Sequence, residues 1–212
     1  MTPLNKIRQR ILEISFKYEL SHLGSCLTAA ELIDDAYQLK QPGDKIVLSN
    51  GHAGLALYCA IEQYEDGNAL TIYNHHGTHP DRCKYCKIDC STGSLGHGLP
   101  IAIGMALADP LHNVFCISSD GEWAEGSMWE SLRIAADYII PNLIVMINAN
   151  GFSAFKSVHR DRLEWQLAAF IKDKFPQVVF KRTENPPGLE GIAGHYKKLD
   201  DKLYKKLKKY YA

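Results

Sequence analysis

The stretch from Asn113 to Phe152, NVFCISSDGEWAEGSMWESLRIAADYIIPNLIVMINANGF, decides how the rest of the chain is read. It opens on a short apolar run, Val114 to Ile117, which breaks at Ser118-Ser119-Asp120-Gly121. A helical segment follows, and a second apolar run from Leu143 to Ile147 ends in Asn148-Ala149-Asn150-Gly151. Two continuous apolar runs of strand length around a helix predict a β-α-β unit with both strands buried in a parallel sheet. The expected fold class is α/β, a parallel sheet with helices on both faces. In such a sheet the polar residues at the C-terminal strand ends gather at one edge, where open α/β folds bind ligands. Asp120 leaves the first strand and Asn150 leaves the second, thirty positions later. A carboxylate and an amide oxygen brought together are hard donors suited to Mg²⁺ or Ca²⁺, and Mg²⁺ is usually shared with substrate phosphates. Ser127 and Glu130 have capping-box spacing, and the start of the helix they would cap is a seat for a phosphate.

This stretch resembles the thiamine-diphosphate motif of transketolase-type enzymes, which starts at Gly-Asp-Gly and closes one crossover later at an Asn-containing turn. Here Ser119 replaces the first glycine and leaves the metal-binding Asp in place. The resemblance implies Mg²⁺ (or Ca²⁺) held by Asp120, the side chain of Asn150 and the backbone carbonyl of Phe152. Gly121 and Asn150 would then contact the thiamine diphosphate itself.

Length and composition fit that expectation. A chain of 212 residues is read as one domain, 1–212, with a core of ordinary size. The 24 basic and 24 acidic side chains cancel, so no overall field selects nucleic acid or an anionic membrane. No apolar run approaches the roughly 18 residues of a membrane span. The first residues lack a signal-peptide core. Six cysteines without an export signal suggest reduced thiols and a cytoplasmic setting.

Taken in order, residues 5 to 20 carry apolar positions at Ile7, Ile11, Ile14, Phe16 and Tyr18 and predict an amphipathic helix. Ser21-His22-Leu23-Gly24-Ser25-Cys26-Leu27-Thr28 interrupts it, and Thr28 with Glu31 can cap the next helix. His22, Gly24 and Leu27 match the transketolase turn Ser-Gly-His-x-Gly-x-x-Leu, whose His faces the substrate. Asp44 to His52, DKIVLSNGH, reads as a strand ending in a polar turn. It resembles the family's Asp-x-x-x-Leu-Ser-x-Gly-His, which implies that His52 lies near both cofactor and substrate. Ala53 to Gln63 reads as a small-residue helix, and Pro100 to Ala108 as an apolar, Ala-rich one.

Residues 73 to 98, YNHHGTHPDRCKYCKIDCSTGSLGHG, are expected to form an active-site loop and admit two readings that can coexist. By resemblance, Gly77-Thr78-His79-Pro80-Asp81 is similar to the family's Gly-His-Pro-Glu substrate loop. Thr92 to Gly98 is similar to its Thr-Gly-Pro-Leu-Gly-Gln-Gly turn, with His97 in place of Gln, so that Gly93, Ser94 and Leu95 would lie against the cofactor. From the residues themselves, Cys83, Cys86 and Cys90 supply three thiols, and His79, His76 or His75 could add a fourth zinc ligand, with His79 the first choice. Free thiols in a lid-like loop are the alternative.

Glu125 and Glu130 match acidic residues that the family places at the subunit interface beside the cofactor. Read without the resemblance, Glu130 is a helix cap and Glu125 a solvated turn. Residues 153–212 read as an abbreviated C-terminal part, with a helix over Asp161 to Lys174 and a strand run from Pro176 to Thr183. Relative to the family, one strand-helix unit is missing. Gly194-His195-Tyr196-x-x-Leu199 resembles the family's late His-Gly-x-x-Leu, with Tyr196 in place of glycine. The tail, DDKLYKKLKKYYA, sets Leu203 and Leu207 on one face among lysines. It reads as a solvated helix or as a basic contact to a partner or nucleic acid.

As a member of this family the chain would be the N-terminal, diphosphate-binding half of a shortened transketolase-like enzyme. It would transfer a two-carbon ketol unit between sugars or sugar phosphates. His22, His52, His79 and His195 would shuttle protons or hold sugar hydroxyls, since imidazole titrates near neutral pH. The family's activating Glu lies in a pyrimidine-binding domain for which this sequence has no room. A split enzyme with a separate pyrimidine-binding subunit, assembled as α2β2, is therefore expected. The alternatives are a subunit of another thiamine-diphosphate carboligase or decarboxylase, a degenerate non-catalytic homologue, and, most distantly, a zinc-binding module.

Overall fold

The computed structural model describes residues 1–171 and 177–212. Strands β1 (Lys45–Leu48), β2 (Val114–Ser119), β3 (Leu143–Ala149) and β4 (Val178–Arg182) lie side by side in chain order, all parallel. The central β-α-β unit is as the two apolar runs require: Val114 to Ser119 are all buried, and β3 is buried over all but Ile144. Side chains alternate between faces. Ile46, Leu48, Phe115, Ile117 and Met146 enter one core, and Val47, Val114, Cys116, Val145 and Ile147 the other.

Helices α1 (Pro3–Lys17), α2 (Leu23–Leu39), α3 (Gly54–Tyr64) and α4 (Ala69–His76) lie over the first face. Helices α5 (Gly98–Ala108), α6 (Gly126–Tyr138) and α7 (Arg160–Ile171) cover the second. These last three each lead into the next strand. A sheet whose strands step one way with right-handed crossovers puts them on a common face. The short α8 (Ala193–Tyr196) packs on α2. Helix α9 (Asp201–Tyr210) returns to the first face, against α1.

Several local expectations change once tertiary partners are present. Helix α1 stops at Lys17, and both Glu19 and His22 turn into left-handed conformations before α2. Because α2 starts at Leu23, Thr28 lies inside it rather than at its cap, and its hydroxyl donates to the Gly24 carbonyl at 2.9 Å. The expected box at Ser127 and Glu130 is not formed. Glu125 is the N-cap, and Ser127 Oγ donates instead to the Gly96 carbonyl at 3.0 Å. Residues 73–76 belong to α4, so the loop proper runs from 77 to 97. Helix α5 starts two residues ahead of Pro100, which sits in a first turn that needs no donor from it.

Helix α7 takes up the predicted helix as far as Ile171; residues 172–174 of that prediction, and Pro176 of the strand run, lie outside the described residues. The C-terminal helix is not simply solvated. Leu203, Leu207 and Tyr211 join the core of the first face, while Gln9 donates to the Lys208 carbonyl at 2.7 Å. Among the described residues no helix is long and apolar enough to cross a membrane.

Candidate cofactor site

The C-terminal ends of the four strands converge on one buried polar edge. Strand β2 ends at Ser119 and passes into a 3-10 turn, Asp120–Ala124, that starts with the buried Asp120. Its Oδ1 accepts the Gly121 N–H at 2.9 Å and its Oδ2 the Gly151 N–H at 2.7 Å. Asn150, at the end of β3, accepts the Phe152 N–H on Oδ1 at 2.9 Å. One turn, 151–152, thus ties both predicted metal ligands together. Burial pushes the Asp120 carboxyl up to about 7, against the two backbone N–H groups that hold it down. A buried carboxylate of this kind is stabilised by a cation. Behind it, Asn148 Nδ2 donates to Thr28 Oγ1 at 3.0 Å, and Arg160 donates to the carbonyls of Ala149 and Thr183 at 3.3 and 3.4 Å. Arg160 therefore brackets β3 and β4. A cavity of about 420 Å³ opens beside Asp120 and Gly121, with Lys156, His159 and Arg162 on its wall.

The loop 92–98 is tied down onto these strand ends. Thr92 Oγ1 donates to the Leu48 carbonyl at 2.6 Å, and the Gly96 N–H donates to Glu122 Oε1 at 2.7 Å. Ser49 Oγ donates to the same Glu122 oxygen, also at 2.7 Å. Only glycine fits at Gly98, where a Cβ would lie 2.4 Å from the side chain of Ser49. Gly93, Ser94 and Leu95 project from this anchored turn, half-buried or exposed. Sequence reasoning missed Glu122 altogether. It is fully buried, its pKa is raised by that burial, and its Oε2 has no partner among the described residues. By contrast Glu125 and Glu130 are exposed within the chain; Glu125 abuts Gly96, and Glu130 faces Arg133 at 3.9 Å.

Three of the four predicted histidines meet. His22 precedes α2, His52 sits in the 3-10 turn after β1, and His195 lies in α8. Their ring centroids are 4.3 Å (His22–His195), 5.3 Å (His52–His195) and 5.5 Å (His22–His52) apart. The His22 N–H donates to the His195 carbonyl at 2.7 Å, which locks α8 onto the start of α2. Tyr196, in place of the family's glycine, points away to the Ala154 carbonyl at 3.4 Å and leaves His195 in place. His79 is exposed, next to the backbone of Gly93. Burial and the neighbouring imidazoles hold His22 down at about 4 and His52 at about 3, and burial also lowers His195. All three are neutral at pH 7, each able to donate at one ring nitrogen and accept at the other. Among the described residues, His22 Nδ1 and both side-chain polar atoms of Asn50 are buried without a partner.

The cysteines sort differently from the expectation. Cys83 and Cys86 lie with His76, their ligating atoms all within 4.8 Å of one another. Cys90 is not among them: its thiol donates to the Ser91 carbonyl at 3.3 Å and packs in the core of the second face. His79 is also outside the group. The reason is the end of α4, which presents His76 rather than His79 to the Cys-x2-Cys turn.

Residues 67–210 match the family model described as "Thiamine pyrophosphate enzyme, C-terminal TPP binding domain". The chain belongs to the thiamine pyrophosphate enzymes. Within that family it is similar to one of the subunits of the apulose-4-phosphate transketolase of Actinobacillus succinogenes, with 30% identity over 72% of this chain and 58% of that protein. It is also similar to the 6-deoxy-6-sulfo-D-fructose transketolase subunit of a Clostridium species, with 36% identity over 69% of this chain and 60% of that protein. Transketolase-like protein 2 of Bos taurus is 34% identical over 69% of this chain and 26% of its own length. The match thus spans less than two thirds of each of these relatives. The fold of this thiamine enzyme is that of Campylobacter jejuni transketolase, with a TM-score of 0.74 at 20% identity over 99% of this chain and 41% of that one. This is the thiamine-diphosphate-binding α/β fold, and the homologues include proteins named as transketolase subunits.

Proposed function

We propose that the chain is the diphosphate- and Mg²⁺-binding subunit of a split transketolase-like enzyme that moves a two-carbon ketol unit between sugars or sugar phosphates. The observation that carries this reading is the single edge on which the Asp120–Asn150 turn pair, the anchored loop 92–98 and the three-histidine cluster stand together. We read residues 1–212 as one thiamine-diphosphate-binding domain. The family model is named for a C-terminal domain, whereas the resemblance to transketolases implies an N-terminal half. The oxygen donors at Asp120 and Asn150 favour the diphosphate-binding half under either order.

The residues present fit the cofactor and its metal. Asp120, Asn150 and the Phe152 carbonyl are an all-oxygen donor set, and burial of the Asp120 carboxyl is a cost that a bound cation would offset. Gly93 allows close approach of a ring to backbone, and the unpartnered atoms of Asn50, His22 and Glu122 leave polar capacity to be met. Thiamine diphosphate supplies an electron sink for cleavage of the bond beside a ketose carbonyl. The chain's own residues bind, orient and handle protons. Gly121 and Asn150 hold the diphosphate end, with Gly93, Ser94 and Leu95 against the rings. His22, His52, His79 and His195 bind sugar hydroxyls or pass protons to the sugar oxygens, and the lowered pKa values keep the clustered three neutral for that work.

The partner is a separate pyrimidine-binding subunit, in an α2β2 assembly, a reading supported by relatives that are themselves named as subunits. Glu125 and Glu130, exposed here, belong to that interface. Six unpaired cysteines support a cytoplasmic setting. The test is ketol transfer measured on the purified chain, alone and after addition of the pyrimidine-binding subunit. Turnover only in the mixture is expected; robust turnover by the chain alone contradicts the split.

A further inference from the structure

We propose that His76, Cys83 and Cys86 bind a zinc ion that staples the loop 77–97 to the end of α4. The group lies outside the strand-end edge, and its metal binding does not rest on the thiamine reading. Cys83 and Ile88 form an isolated antiparallel bridge, with both N–H···O bonds at 2.9 Å. Lys87 closes the intervening turn with φ of 60°, a left-handed conformation. Inside it the Cys86 N–H donates to Cys83 Sγ at 3.1 Å. A tight turn that converges two sulfurs and gives one of them a backbone donor is suited to carrying thiolates.

His76 is the last residue of α4, and its Nε2 stands 3.3 Å from Cys86 Sγ. Zinc bonds of about 2.3 Å to sulfur and about 2.0 Å to nitrogen keep tetrahedral donors roughly 3.5–3.8 Å apart. The observed spread, 3.3 Å for this pair and under 4.8 Å for all three, needs shifts of only a fraction of a bond length to match. His76 closes α4, so a cation bound there would sit at the negative end of that helix's dipole. Two thiols and an imidazole select a soft or borderline cation over the Mg²⁺ or Ca²⁺ suited to the oxygens of Asp120 and Asn150.

Burial and the adjacent Cys83 push the Cys86 thiol up to about 11, and burial lowers His76. Zinc takes cysteine as thiolate and histidine as neutral imidazole, so binding releases protons and strengthens as pH rises. All three residues are half-buried, which leaves the fourth position to a water. The consequence is positional. The chain leaves His76, passes His79, turns through the knuckle and is fixed again at Thr92. A metal at its root shortens the free span that carries His79.

The experiment uses the full chain, purified under reducing conditions, stripped with chelator and titrated with Zn²⁺ and separately with Co²⁺. We expect stoichiometric zinc by elemental analysis and thiolate-to-cobalt charge-transfer absorption. Both should be lost in His76→Ala and in Cys83→Ser with Cys86→Ser, and kept in Cys90→Ser and His79→Ala. The wild-type cobalt spectrum is independent of whether any variant folds. Absence of the charge-transfer bands in wild type would overturn the proposal. So would zinc retained by the double serine variant, zinc lost with Cys90 alone, or a Cys83–Cys86 disulfide in the freshly reduced protein.

Discussion

Glu122 joins the cofactor loop to the sheet, and removing it is the most informative single perturbation of the site. Its Oε1 accepts from Ser49 Oγ and from the Gly96 N–H, each at 2.7 Å, in a fully buried position. Glu122→Ala strands both donors away from water. A buried donor left unsatisfied costs about 1–3 kcal/mol, so the pair should cost about 2–6 kcal/mol. For a chain of this size each kcal/mol lowers Tm by roughly 2–4 °C, which predicts a fall of roughly 4–24 °C. Glu122→Gln keeps an acceptor oxygen in the same place and should cost clearly less. Ser49→Ala leaves the Gly96 bond intact and removes only one donor, so it too should fall below the alanine variant. Scanning calorimetry on the three proteins reads this order directly. The loop should also loosen, so hydrogen exchange at the Gly96 amide should rise in Glu122→Ala and stay near wild type in Ser49→Ala. If Glu122→Ala loses less than about 1 kcal/mol, or Glu122→Gln loses as much, the hydrogen-bond account is wrong.

Two further perturbations test other parts of the structure. The histidine cluster should make the fold acid-sensitive. His22 and His52 titrate near 4 and 3 in the folded chain and near 6.5 when unfolded, so the unfolded state binds more protons between those values. Stability is then full above about pH 6.5 and falls as pH drops toward 4. Thermal melts from pH 8 to pH 4 should show that slope, reduced in a His22→Gln, His52→Gln double variant; equal slopes would contradict it. Leu207 is fully buried against α1, so Leu207→Ala should cost about 2–5 kcal/mol in denaturant unfolding. A change below about 1 kcal/mol would mean that α9 is not part of the cooperative fold.

The fold was legible because its signal is local. Val114–Ile117 and Leu143–Ile147 are continuous apolar runs, and a strand buried on both faces needs nothing else. The polar residues that follow them, Asp120 and Asn150, were placed at one edge by topology alone. His22, His52 and His195 could be picked out only because the words around them resemble a known family; nothing in their spacing predicts that their rings stand 4.3 to 5.5 Å apart. Glu122 left no trace in the sequence, since its partner Ser49 is 73 positions away and its role depends on burial. The capping boxes failed for a related reason. Ser127 and Thr28 have the right neighbours for caps, but Gly96 and Gly24 carbonyls stand nearer. At the cysteines the Cys-x2-Cys pair was readable, while its third partner was fixed by where α4 ends. The amphipathic tail showed its apolar face plainly; what it packs on comes from the other end of the chain.

The central claim is that this chain binds thiamine diphosphate and Mg²⁺ through Asp120 and Asn150. Calorimetric titration of the cofactor with Mg²⁺ into the chain, alone and then with the pyrimidine-binding subunit, tests it most directly. Binding is expected to appear or tighten with the partner and to disappear in Asp120→Ala. Saturable binding that survives Asp120→Ala, or none with the partner present, would contradict it.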